Sequence, residues 1–320
     1  MTLWYDAHAS LFQTTAIYVV LALSFQVVLR SGVFSFASVG FFGAGAYVAA
    51  NLAKSGVPGV AIMIIVVLGS GIAGYLLSMP LVRLRGLYLG MVTFAFDQIL
   101  VVIADNGGSF TGGTVGLFGI PLLVSTGELF IVAAIAVLLI SQLERRGRGR
   151  AIETLRVDEL LARSIGIQVR KERDFIFALS AALGGLAGAM NTMNFSTIAP
   201  GGFGFALIVT GLTMAVVGGV RSWQGAVIGA VIVAWFPEVF SFVGGYRTIV
   251  YGVLVILVVA YEPNGVLGLL SRLVRLVQQL RGRSQVPPPV EGAPVQPLAG
   301  TPGPGVQPGV RPGVQPGVNA

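Results

Sequence analysis

No cysteine occurs in the 320 residues, so disulfides, thiolate chemistry and cysteine-ligated metals are excluded. Histidine is nearly as scarce: His8 stands alone in a polar N-terminal stretch, and a metal site needs several such donors together. Only two lysines are present, Lys54 in Leu-Ala-Lys-Ser and Lys171 in Val-Arg-Lys-Glu. Neither follows a glycine, so the chain carries no G-x-x-x-x-G-K-S/T phosphate loop and cannot hydrolyse ATP by that device. No H-E-x-x-H or G-x-S-x-G motif occurs either. Catalysis is left with almost no material, and no cofactor is expected. Charge is sparse too, at 10% of residues against about 25% in a soluble domain.

What fills the chain is apolar: 55% hydrophobic residues and 45 glycines. The expectation is an all-α polytopic membrane protein whose helices approach one another at small residues. Runs long enough to span a bilayer lie at 11–29, 33–52, 58–80, 87–104, 122–143, 175–196, 205–220, 225–244 and 247–262, about nine transmembrane helices. Threaded alternately, they put 18 of the 20 cations on one face and leave Lys54 and Arg247 on the other. The positive-inside rule then places the N-terminus outside and the C-terminus in the cytoplasm. In this context the net charge of +7 is a topology signal rather than a nucleic-acid signal. The first ten residues lack a cationic n-region, and no cleaved signal peptide is expected.

The charge that does exist is concentrated. Fifteen of the 33 charged residues fall between Glu144 and Asp174, nine cations and six anions. A membrane protein that gathers its charge in one mid-chain loop presents that loop to a soluble partner. Within it, Asp158 is placed to N-cap a short helix over Glu159–Ile165, and Gly166 to end it as the C′ residue. Leu160, Leu161 and Ile165 then form an apolar face that can seat in a groove of another protein or fold back on the bundle.

Two carboxylates lie inside predicted spans, Asp97 and Glu238. In lipid each costs roughly 2.5–3.5 kcal/mol on insertion scales, so each must face the bundle interior or water. Both readings stay open for them, a permeation path and a structural hydrogen bond between helices. Pro237 is placed to kink its helix just before Glu238. Between the fourth and fifth spans, residues 105–121 hold six glycines in 17 positions, so neither helix nor strand is expected there. That loop reads as a gate or as a compact connection. Small residues at four-residue spacing, Gly40 and Ala44, Ser180, Gly184 and Gly188, Gly225 and Gly229, mark smooth helix faces.

The last span closes a membrane domain covering 1–265. Residues 266–283 read as a basic amphipathic helix on the membrane surface. Residues 284–320 hold ten of the 16 prolines and a repeated Pro-Gly-Val-x, a composition that cannot bury a core and is expected to be disordered.

The stretch Thr111-Gly112-Gly113-x-x-Gly116-Leu117-x-Gly119-Ile120-Pro121 resembles the T-G-G-x-x-G-L-x-G-I-P signature of branched-chain amino acid ABC importer permeases, in particular their LivM-like subunits. Gly86-Leu87-Tyr88 leading into Thr93-Phe-Ala-Phe, the run from Ser180 to Ala189, and Val217-Gly218-Gly219 with Gly225 and Gly229 are similar to the same hydrophobic amino acid uptake family. The likeness covers about residues 18 to 265.

The resemblance implies a multi-pass protein of the bacterial inner membrane. Its partners would be a second, LivH-like permease, two ABC ATPase subunits, an external substrate-binding protein and membrane lipid, with no nucleic acid. The translocation path is expected at Asp97 and Glu238, the carboxylates inside spans, and at Thr111, Gly112, Gly113 and Gly116 of the matching signature. ATPase coupling is implied at Arg156, Asp158, Glu159, Leu160, Leu161, Ile165 and Gly166. Several positions depart from the pattern. Glu159 precedes Gly166 by seven residues rather than six, Arg221 stands where the family usually has glycine, and Ala37-Ser38-Val39-Gly40 replaces a glycine-histidine pair. Related permeases move urea, amides or other small solutes, and a secondary transporter coupled through Asp97 or Glu238 is the remaining alternative.

Overall fold

The computed structural model describes residues 2–81, 83–84, 86–145, 147–239, 252, 265–266 and 268. They form helices α1 (Thr2–Arg30), α2 (Ala37–Lys54), α3 (Gly59–Leu81), α4 (Gly86–Asn106), α5 (Thr126–Arg145), α6 (Gly147–Val157), α7 (Glu159–Ser164), α8 (Val169–Phe195), α9 (Phe205–Gly218) and α10 (Trp223–Val239). Two short strands, β1 (Leu117–Phe118) and β2 (Thr197–Ile198), complete the chain order within these residues. The chain divides into two units, Met1–Leu276 and Val277–Ala320. Nearly all of the ninth predicted span and of the amphipathic helix, and the whole proline-rich tail, lie outside the described residues.

Among the described residues, six helical stretches are long and apolar enough to cross a membrane: His8–Arg30, α3, α4, α5, α8 and Pro200–Gly218. The protein is a mostly helical, multi-pass membrane protein. Helix α2 is not one of the six, yet it fills the place of the second predicted span with 13 of its 18 residues buried. A helix enclosed by other helices does not have to be apolar, because its side chains meet protein instead of lipid. Helices α3, α4 and α5 do the opposite. Ile64, Leu68, Ile72 and Leu76 of α3 follow one another at every fourth position, all between 55% and 62% exposed, as suits a face solvated by acyl chains.

Helix α8 is the axis of the bundle, packed against α1, α2 and α3. Its face of small residues makes this possible. Side chains added at Gly184 and Gly188 would overlap the backbone carbonyls of Ser38 and Phe42 on α2, and Ser180 meets Ser38 hydroxyl to hydroxyl at 2.8 Å. Across the other face, the Ser78 hydroxyl of α3 donates to Asp174 at 2.6 Å. The same device joins α9 to α10, where Gly225 and Gly229 lie against Gly218 and the Met214 carbonyl. Close backbone approach replaces hydrophobic burial as the source of packing energy in lipid.

Successive membrane helices alternate in direction. At one end Gln26 binds Glu144 at 2.8 Å and the Val220 carbonyl at 3.4 Å. At the opposite end Gln13 joins Thr126 at 2.8 Å and Asn194 at 3.2 Å, and Asn51 donates to the Phe110 carbonyl at 3.0 Å. The first of these ends carries α6 and α7, and with them the charged stretch.

The glycine-rich segment departs from its expected irregularity. Two 3-10 turns, Gly108–Phe110 and Gly113–Val115, precede β1. That strand pairs antiparallel with β2, Leu117 opposite Ile198 and Phe118 opposite Thr197. The partner strand lies some 80 residues away in the chain, so no local signal could announce it. Helix α10 runs through Pro237 to Val239.

Candidate functional site

Two places bring together residues singled out in the sequence. The first is the charged end. Helix α7 is only six residues long, too short to persist without help. Help comes at both termini. Asp158, extended at φ −155°, accepts hydrogen bonds from the backbone amides of Leu160 and Leu161. Gly166 takes φ +85°, its amide donates to the Arg163 carbonyl, and the Ile167 amide reaches back to Ala162. This is a Schellman closure, whose left-handed residue is glycine because a Cβ there is strained.

Below the caps, α7 faces two ways. Ala162 is fully buried and packs with Leu155 and Val169, with Ile167 against them. Glu159 binds Arg163 at 2.6 Å and Arg173 of α8 at 3.2 Å, which ties the helix to the base of the central helix. The other face is bare. Leu160 is 74% exposed, Leu161 49% and Ile165 61%. Val157, not marked in the sequence, extends this row at 75% exposure; it lies one turn before Leu160 and Leu161 at the end of α6, which was its only available signal.

The row is held rigidly to the bundle. Arg30 pairs with Glu144 at 2.7 Å and reaches Glu153 of α6 at 3.7 Å. The α5–α6 turn is so close that a side chain at Gly149 would overlap the Glu144 carbonyl. Arg156 lies on the opposite side of α6, its Cα and Cγ 3.5 Å from where a Gly32 Cβ would stand.

The second place lies at membrane depth. Asp97 is fully buried on α4. One carboxylate oxygen accepts from Gln98 at 3.1 Å, and the other is buried without a partner. Nearby, Phe96 and Leu100 pack over Gly40 of α2, and the Thr93 hydroxyl accepts from the Phe36 amide at 3.0 Å. Into this region comes a segment that the sequence did not reveal. After α8 the chain forms β2 and a 3-10 turn at Pro200–Phe203 before α9 begins. Phe203 is buried, and its ring occupies the space left by Gly43 and crosses Tyr47 edge-on with ring centres 5.9 Å apart. Gly43 sits eleven residues from the end of α2, roughly 16 Å along the helix. Phe205 then meets Phe94, one turn before Asp97, at 6.1 Å.

Residues 196–204 are therefore an irregular lead-in to α9, packed against α2 and α4. The 14 residues of α9 cover only roughly 21 Å, short of the about 30 Å hydrocarbon core, and the segment supplies the difference. Irregular backbone at such depth is tolerated where protein encloses it or water lines it. The glycine signature holds it in place. Gly116 at φ +85° lies so close that a side chain would overlap the Ile198 carbonyl. Thr111 is buried, and its hydroxyl accepts from the Gly113 amide at 3.3 Å. Gly112 and Gly113 are also left-handed, at φ +73° and +63°.

Glu238 occupies a different position. It is half exposed and stands 4.0 Å from His8, whose ring stacks on Trp235 at 6.4 Å. Helix α10 packs on α1, α5 and α9, whereas α4 packs on α2 and on the turns around residues 113 and 200. Glu238 is thus at the end of α1 remote from Arg30, and the packing does not draw it to Asp97. Among the described residues no group of three or more His, Cys, Asp or Glu could hold a metal ion.

A family model described as branched-chain amino acid transport system / permease component matches residues 8–259. The chain is 31% identical over 289 residues to the high-affinity branched-chain amino acid transport system permease protein LivM of Salmonella typhimurium, covering 79% of this chain and 68% of that one. With LivM of Escherichia coli the identity is 30% over the same length and shares. With the probable branched-chain amino acid transport permease protein LivH of Methanocaldococcus jannaschii it is 28% over 282 residues, 78% of this chain and 88% of the relative. No solved structure matches the chain. The chain belongs to the branched-chain amino acid transport permease family and is a LivM-like membrane subunit of an ABC importer.

Proposed function

We propose that this subunit and a second, LivH-like permease together form the path by which a branched-chain amino acid crosses the bacterial inner membrane. Two ATPase subunits seat on the α6–α7 face, and an external binding protein delivers the solute at the opposite end. In this reading the chain spans the membrane nine times, with its N-terminus outside and the charged end cytoplasmic. Hydrolysis belongs to the ATPases, since this chain carries no phosphate loop.

The observation that carries the proposal is the bare apolar row of Val157, Leu160, Leu161 and Ile165 on a helix capped at both ends and tied to α8 through Glu159 and Arg173. A rigid apolar ridge outside the bilayer fits a groove on a soluble partner, and its link to the central helix gives a stroke at that ridge a route into the bundle. Asp97 and the loop of Thr111, Gly112, Gly113 and Gly116 are the proposed path. A buried carboxylate with a free oxygen suits a substrate ammonium, and the loop clamps the segment at 196–204 beside it. Glu238, half exposed near His8, fits the outer entrance.

Reconstitution into liposomes tests this. Uptake of labelled leucine, isoleucine or valine is expected only with the partner permease, the ATPases, the binding protein and ATP. Accumulation by this chain alone under an ion gradient would overturn the assignment.

A further inference from the structure

At the charged end of the bundle a cavity of about 260 Å3 opens between α1, α6 and α9. Its walls are apolar, from Leu29, Phe34, Leu212 and Val216, and two arginines face it, Arg156 and Arg221. Neither arginine has a carboxylate partner among the described residues. The acids of the neighbouring helix ends, Glu144 and Glu153, are both engaged by Arg30. The Nη1 of Arg156 is buried with no hydrogen-bond partner. Two cations, Arg156 with its buried Nη1 and the exposed Arg221, thus share a half-apolar, open-mouthed cavity with no acid to answer them, an arrangement that calls for an anion from outside the chain.

We infer that this cavity binds the phosphate of an anionic glycerophospholipid. Its position favours a lipid over a dissolved ion. Leu29 is one residue from the end of the α1 span, and Val216 is two from the end of the α9 span, so the arginines lie at the bilayer boundary, where lipid phosphates sit. An acyl chain also has a track to follow. Phe205, Val209, Leu212 and Val216 recur along one face of α9, and the two that lie beyond the cavity are largely exposed, Phe205 at 64% with one ring edge on Phe94 and Val209 at 43%. The row leads from the cavity into the hydrocarbon. A free anion would make no use of this track.

Native mass spectrometry of the full chain in detergent, titrated with phosphatidylglycerol or phosphatidylcholine, tests the inference without any transport readout. A negative result here leaves the importer assignment standing, and failure of transport leaves this site standing. Phosphatidylglycerol adducts are expected to outlast phosphatidylcholine adducts. Arg156→Gln and Arg221→Gln should each weaken phosphatidylglycerol binding about fivefold, and the double variant roughly 30-fold. Val209→Asp, which leaves both arginines in place, should weaken it as well. Equal retention of the two lipids, an unaffected double variant, or displacement of phosphatidylglycerol by millimolar inorganic phosphate would overturn the proposal; the last would identify a free-anion site.

Discussion

Arg30 and Glu144 meet at 2.7 Å where α1 and α5 end, each side chain only 14% exposed. Glu144 also accepts from the fully buried Gln26, so one carboxylate ties the two helix ends and the start of the charged stretch together. Removing one partner of a fully buried pair costs about 3–5 kcal/mol. Some solvent reaches this pair, and Glu144→Ala is expected to destabilise the protein by about 2–3 kcal/mol. A thermal melt in detergent reads this out, and a melt identical to that of the unmodified chain would show that the pair contributes nothing.

Loss of the Asp158 cap should act locally. Asp158→Ala removes the acceptor for two amides of a six-residue helix, a loss of about 1 kcal/mol or roughly fivefold in the ordered population. Hydrogen exchange should quicken across residues 159–165 while the membrane helices keep their protection. Unchanged exchange in this segment would mean that the Schellman closure alone holds α7.

Charging the exposed ridge separates docking from folding. Leu161 is about half exposed, so Leu161→Glu is expected to leave the melting temperature unchanged and abolish co-purification of the ATPase subunits. Val157→Glu should do the same. ATPase recovered in normal yield with both variants would remove the ridge from the coupling surface.

Asp97 offers a charge-specific test. Asparagine keeps the volume of the side chain and can still accept from Gln98, so Asp97→Asn should fold and assemble normally. Uptake in the complete transporter is expected to fall at least about tenfold, the scale of one lost charge-assisted contact of about 1.5–3 kcal/mol. Wild-type uptake by this variant would make Asp97 a structural group only.

Much of the charged end was legible because its physics is local. Capping by Asp158 and closure at Gly166 depend on residues within one turn of each other, and the helix between them ends one residue earlier than the expected Ile165. The anchoring of that helix was not legible: Glu159 and Arg173 are 14 positions apart, and Arg30 and Glu144 far more. At membrane depth the sequence indicated Asp97 and the glycine signature but not what they surround. The segment at 196–204 announces itself only as Pro200 among glycines ahead of the apolar run at 205–220.

The amino-acid sequence by itself determined that this is a multi-pass helical protein and which loop carries its charge. Both follow from composition and from where the charged residues fall, and no fold can alter them. Only the tertiary structure decided which helix is central, because in lipid an apolar side chain is equally at home on the bundle surface and in its interior. It also decided that the T-G-G loop pairs with the chain after α8, since backbone hydrogen bonds between β1 and β2 carry no side-chain code. The bare ridge beside the Asp158 cap needed both: its residues from the sequence, and its exposure from the way Ala162 turns the opposite face inward.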